Sequence, residues 1–432
     1  PGANDSGWLP MTPASQTSYS AMNVPVTLSG GEGLKTVYVW YKDAASPGNI
    51  GAASPASQTI TVDSKAPIAG HEGSITWQYV GNPQISGGAA LYSKIIVNDN
   101  TPYIAFQDQA NGYKASVMKY NGSNWTYVGS PGFSASNANF ISLNIHNGIP
   151  YVAFCDNAYA MKVSVMKFDG SNWVNVGIPG FSDVANYTSL FISNGTPYVA
   201  FQDYNNEQKT SVMKFDGSAW TYVGIQGFST GHSGFDSLYI EGGVPYVAYE
   251  DWVNGQKATV MMFNGTSWVN VGPSGFSDGI AQPVSLFVQN GIPYIAFLDG
   301  TRSYKTTAMK FNGTNWTNIG TPGFSGGPST YGVSLFLDNN TPYIIYEDFN
   351  IGSKTSMMKF DGTSWNYLGN RGFSSGQAQN ADLFICNGSI YAAFANNDYN
   401  GKIDVMKFEE TINDGLIVNN GARLTSTATI KA

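Results

Sequence analysis

The sequence predicts an all-β protein whose main body is a seven-bladed β-propeller of four-stranded antiparallel blades, and three observations carry that expectation. The first is a period. Trp77, Trp125, Trp173, Trp220, Trp268, Trp316 and Trp365 are spaced by 48, 48, 47, 48, 48 and 49 residues, a regularity that marks a repeat architecture. The second is the content of one unit, PYVAFQDYNNEQKTSVMKFDGSAWTYVG over Pro197–Gly224. PYVAF suits a strand buried on both faces, KTSVMKF alternates, and WTYVG is short and ends on glycine. Asp216–Gly217 between the last two reads as a tight type I′ hairpin, repeated at Asn121, Asp169, Asn264, Asn312 and Asp361. A fourth strand, of the type SLFI or SLYI, precedes each PY. The third observation is the pair of ends. Trp77 has no other three strands before it, and the last unit stops at Phe408 with Glu409–Glu410 where a turn belongs. The strand around Trp77 and Tyr79 is therefore expected as the outer strand of blade seven, beside Val405 and Phe408, removing the open edges of the ring.

In chain order, residues 1–66 lack the period and hold three strand candidates, at 24–28, 34–43 and 57–63, between Gly/Ser/Pro/Ala-rich loops. Residues 67–73 read as a linker, 74–410 as the propeller and 411–432 as two further strands. The run LSGGEGLKTVYVWYKDAAS with its close on TITVDSKAP resembles the back half of the immunoglobulin-like modules strung along bacterial surface proteins, and GLIVNNGARLTSTATI is similar to the front half. A complete module of that type has about seven strands and about 100 residues. Two half-modules with unpaired edges imply completion by strand addition, the front of one copy entering the back of the next. Val37, Val39, Ile60, Val62, Ile417, Val418, Leu424 and Ile430 are the expected junction residues. Two other readings stay open: ends that are cuts through a longer string of modules, and a tail that folds back onto its own chain.

Composition narrows the function. Of 432 residues 42% are hydrophobic and only 12% charged, the net charge is −8, and the surface therefore lacks the basic footprint that nucleic acid requires. No run of 18 apolar residues exists that would span a membrane. Few charges with many Asn, Ser, Thr, Gly and Tyr resemble secreted, surface-exposed bacterial proteins, and the absence of an initiator Met reads as a piece of a longer precursor. Cys155 and Cys386 occupy unrelated slots of blades two and seven, so no disulfide is expected.

Chemistry is harder to find. Asp108/Lys114, Asp156/Lys162, Asp203/Lys209, Asp251/Lys257, Asp299/Lys305 and Asp348/Lys354 flank one hairpin in each blade and are expected as repeated structural ion pairs. Loops such as DYNNEQK carry oxygen ligands without the dense calcium-loop pattern, so no cofactor is expected and calcium is the weak candidate. His71, His146 and His232 sit in unrelated places and compose no triad, so no enzyme is expected. The turn D/N-G-S/T-x-Trp is superficially similar to the sialidase Asp-box, but its residue order differs and no chemistry carries over. Gly-Phe-Ser crossovers, at Gly132 and its equivalents, and repeated methionines such as Met118 and Met213 read as filler between sheets. The whole ring period resembles the tandem repeats of uncharacterised bacterial surface propellers, which speaks for fold and not for activity. The expected function is a structural subunit of an extracellular or cell-surface filament, joined head to tail to identical subunits. The alternative is a lectin or adhesin that binds glycan on a propeller face.

Overall fold

The computed structural model describes residues 75–329 and 332–410, together with the strands Ser18–Tyr19, Gly33–Val39, Ala56–Val62 and Ile430–Lys431. Residues 75–409 form one compact unit of seven four-stranded antiparallel sheets. Blade three shows the plan: inner strand Ala185–Ser193, second strand Thr196–Asp203, third strand Lys209–Phe215 and outer strand Trp220–Tyr222. Six blades are contiguous in sequence. The seventh sheet orders Ala378–Cys386, Ser389–Asn396, Lys402–Glu410 and Ile75–Tyr79, so its outer strand comes from the other end of the ring.

The tryptophans join neighbouring blades. Each indole Nε1–H donates to a carbonyl of the preceding blade's outer edge, as Trp220 does to Val176 at 2.7 Å and Trp268 to Val223 at 2.7 Å. In blade seven Trp77 donates to Leu368 at 3.0 Å, and in blade one Trp125 donates to Val80 at 2.7 Å. The crossover Phe stacks flat on the next blade's Trp, with ring centroids 4.0 Å apart for Phe181–Trp220 and 4.1 Å for Phe373–Trp77. Trp77 also leans on Phe408 at 5.3 Å, Val80 N–H donates to Val405 O at 2.9 Å, and Tyr79 donates to Ser375.

Turn chemistry differs from expectation in one respect. The Asn/Asp-Gly dipeptides after the third strand do not form two-residue type I′ turns: four residues, 216–219 in blade three, separate the strands, and only Gly217 has positive φ. Asp216 Oδ1 accepts the N–H groups of Ser218 and Ala219 at 2.8 Å each, so the side chain replaces one arm of the turn. The pattern with positive φ at both central residues occurs instead between the inner and second strands, as in Asn147–Gly148 and Asn194–Gly195.

Outside the ring, Gly33–Val39 pairs antiparallel with Ala56–Val62, placing Val37 opposite Gln58, Val39 opposite Ala56, Ile60 opposite Lys35 and Val62 opposite Gly33. Ile430 pairs with Tyr19 of the same chain. Ile75–Tyr79 and Lys402–Glu410 are adjacent strands of one sheet. Ile417, Val418, Leu424 and the strand expected at 24–28 lie outside the described residues.

Candidate functional site

One face of the ring gathers the chemistry, and the buried residue that ends each second strand, an aspartate in six blades and Asn396 in the seventh, builds it. The expected ion pairs are not formed. Register does set Asp156 opposite Lys162 and Asp251 opposite Lys257, yet the carboxylates turn inward. Asp156 accepts Ser164 Oγ–H and Ala158 N–H, both at 2.9 Å; Asp251 accepts Thr259 Oγ1–H at 2.9 Å and Asn254 N–H at 3.3 Å. A short carboxylate at a strand end reaches these local donors, whereas the lysine keeps its ammonium hydrated. The ion pairs described on this face are others: Arg371 grips Asp348 at 2.7 Å, Lys209 meets Glu207 at 2.7 Å and Arg302 meets Asp278 at 3.3 Å. Burial pushes the Asp156 and Asp203 carboxyls up from the ordinary range.

Held from beneath in this way, the hairpin between second and third strands opens with a 3-10 turn in six blades and presents one exposed aromatic in every blade. They are Tyr113, Tyr159, Tyr204, Trp252, Tyr304, Phe349 and Tyr399, from 40% to 59% exposed. Their slots differ. Tyr204, Trp252 and Phe349 directly follow the acid, Tyr159 and Tyr399 lie three residues past it or past Asn396, and Tyr113 and Tyr304 lie five past it. A packing aromatic keeps its slot, as the Trp of the outer strand does. These seven change slot and still reach solvent.

The same face holds the mouth of the axial channel. Inner strands begin opposite the end of the second strand, Ala185 against Asp203, and a β-bulge follows at once. Tyr92, Phe140, Tyr187 and Phe235 occupy the bulge with φ of 53° to 55°, a left-handed conformation that costs non-glycine residues roughly 1–3 kcal/mol each. Their rings form a continuous arc, with centroids 5.1, 4.9 and 4.7 Å apart in succession. The cavity they border, about 280 Å³, is lined by the inner strands of all seven blades and includes Lys94 and Asp236. One level deeper, the hydroxyls of Ser142, Ser189, Ser237 and Ser285 accept a leucine N–H from the next blade, and Asp382 accepts Ile95 N–H at 3.0 Å while pairing with Lys94 at 3.5 Å.

Of the residues singled out in the sequence, Cys155 and Cys386 are both free, and burial holds the Cys155 thiol well above its ordinary pKa. His71 lies outside the described residues, and His232 stacks on Trp252 at 4.4 Å. No group of three or more His, Cys, Asp and Glu side chains converges on a metal position among the described residues. Sequence reasoning missed both the exposed aromatics and the mouth. The signal available for the first was one aromatic in every loop, hidden because its position shifts.

No family model matches the chain, and no curated protein matches it either. Among solved structures the chain is similar to the polysaccharide lyase Uly1, with 11% identity over 80% of this chain and 94% of that one and a TM-score of 0.50. It also aligns with a PL25 ulvan lyase bound to -[GlcA(1-4)Rha3S]-, at 13% identity, 77% and 95% coverage and a TM-score of 0.49. A six-bladed fucose-recognising lectin of Aleuria aurantia aligns at 17% identity, 67% and 99% coverage and a TM-score of 0.45. Identities this low speak for the fold alone. They nevertheless correct the expectation that the chain is not an enzyme: a polysaccharide lyase shares the ring architecture over four-fifths of this chain, and the lack of a triad in the sequence does not exclude catalysis on it.

Proposed function

We propose that this protein binds carbohydrate polymers through the face of the ring that bears the seven aromatic hairpins, in an extracellular or cell-surface setting. The observation that carries the reading is the placement of one solvent-exposed aromatic per blade around an aromatic-walled mouth. Sugars offer apolar C–H faces to such rings and hydroxyls to the polar groups between them. A circle of weak contacts suits a chain-like ligand, because contacts on one ring act together once the first has formed. The polysaccharide-lyase neighbour is consistent with that ligand class. The filament reading draws no support from the similar solved structures and is not carried forward. A glycan array and sedimentation with insoluble polysaccharides test the proposal. Retention by at least one polymer is expected; no retention on any would overturn it. The same incubations are to be read for depolymerisation.

A further inference from the structure

We infer that the mouth of the channel is a site for one uncharged sugar unit, the end of a glycan chain, held by Asp236 against the arc of Tyr92, Phe140, Tyr187 and Phe235. The inference deepens the carbohydrate reading and rests on it.

Asp236 is out of pattern. Its slot in the other blades holds Ser93, Thr188 or an apolar side chain. Ser93 Oγ–H donates to Asn380 O at 3.2 Å, and Thr188 donates in the same way to Phe140 O, so each hydroxyl ties its blade to the preceding one. Asp236 instead accepts Thr210 Oγ1–H on Oδ1 at 3.1 Å, and its Oδ2 finds no protein partner although the residue is only 7% exposed. A buried carboxyl oxygen without a donor is costly, and a hydroxyl entering the cavity would satisfy it.

Charge selects among ligands. The one cation lining the mouth, Lys94, is already paired with Asp382. Above about pH 7, where the Asp236 carboxyl is ionised, an anionic sugar would be repelled by it, and an ammonium would meet Lys94; an uncharged ring meets neither penalty. Size agrees, for about 280 Å³ lies just below the roughly 300–1,000 Å³ of ordinary small-molecule sites and admits a single unit. A larger groove of about 550 Å³ runs beside Tyr79, Tyr103, Lys119, Tyr391 and Lys407, but none of the residues lining it has an orphaned buried polar atom. The mouth is therefore the better-defined site.

The test is saturation-transfer NMR with the methyl glycosides of glucose, galactose, mannose, xylose and rhamnose, with methyl glucuronide as the anionic control. At least one neutral glycoside should bind and the glucuronide should not. Asp236→Thr copies blade three, so it should not lower Tm and should weaken that glycoside about tenfold. Asp236→Asn keeps an acceptor oxygen and should retain most of the affinity, which guards against a folding defect in the first variant. Binding of the glucuronide in preference, or unchanged binding by Asp236→Thr, would overturn the inference. If polymers are retained but no neutral glycoside binds at millimolar concentration, the mouth alone is refuted. If neither binds, the carbohydrate reading falls as well.

Discussion

Asn396 Nδ2 donates to Asp404 Oδ2 at 2.7 Å across the last hairpin, reversing the polarity of the bond that five other blades make in the same place. There the acid ends the second strand and the hydroxyl lies eight residues later, as in Asp108 and Ser116 at 2.8 Å. The reversal leaves a carboxylate on the third strand, and its Oδ1 accepts Gln84 N–H at 2.8 Å across 320 residues of sequence. Other blades fill that role with the hydroxyl itself, which accepts a glycine N–H sixteen residues on, as Ser116 does from Gly132.

Asp404→Ala should therefore cost about 3 kcal/mol, because it removes the acceptor of both Asn396 Nδ2–H and Gln84 N–H and leaves the Asn396 amide only its bond to Ser375 Oγ. The double change Asn396→Asp with Asp404→Ser restores the arrangement of the other blades and should recover most of that loss. Equilibrium denaturation of both variants checks this; equal loss in the two would show that the reversal itself is required.

Trp77 carries both a stack on Phe373 and a bond to Leu368 O, and it sits at one end of the chain segment that forms the ring. Trp77→Ala should destabilise by about 3–5 kcal/mol, as large core truncations do. Thermal unfolding of Trp77→Ala beside Trp220→Ala measures it. A loss below that of the mid-ring tryptophan would mean that the outer strand of blade seven contributes little to holding the ring.

Stability should fall as pH rises toward neutrality. Burial pushes the carboxyls of Asp236, Glu250 and Glu347 up to about 7 each. A carboxyl with a raised folded pKa favours the folded state while protonated, so its contribution is complete below the unfolded carboxylate range and is lost as pH climbs through about 7. Gln107 and Gln202 occupy the slot of Glu250 in blades one and three, and their amides donate to Ala138 O and Ser233 O of the next blade. Glu250 leaves Oε1 unpartnered. Glu250→Gln should flatten the decline and raise stability above neutral pH by about 1 kcal/mol, read as Tm against pH. An unchanged profile would place the titration elsewhere.

The triple variant Tyr204→Ala, Trp252→Ala, Phe349→Ala separates surface from scaffold. All three are exposed, so folding stability should change by no more than about 0.5 kcal/mol for each. Retention on polysaccharide should drop by at least about tenfold, at roughly 1 kcal/mol per stacking ring. Lost stability with unchanged retention would make these rings structural.

The number of blades, the tryptophans that join them and the Phe and Met fillers were legible in the sequence, because a residue that packs against its own repeat recurs at one spacing. The mouth was not. Its aromatics precede the four-residue inner strand read from SLFI and SLYI, and the slot drifts from Tyr92 to Pro283 to Asn380. The acids were placed correctly in the repeat and given the wrong partner, since register brings Asp156 opposite Lys162 while the direction of the carboxylate is decided by a turn N–H and a hydroxyl that only the folded hairpin presents. Sequence determined what repeats, through burial and periodicity. Tertiary structure decided which non-repeating side chains meet, because seven strands distant in sequence converge on one axis only when the ring is formed.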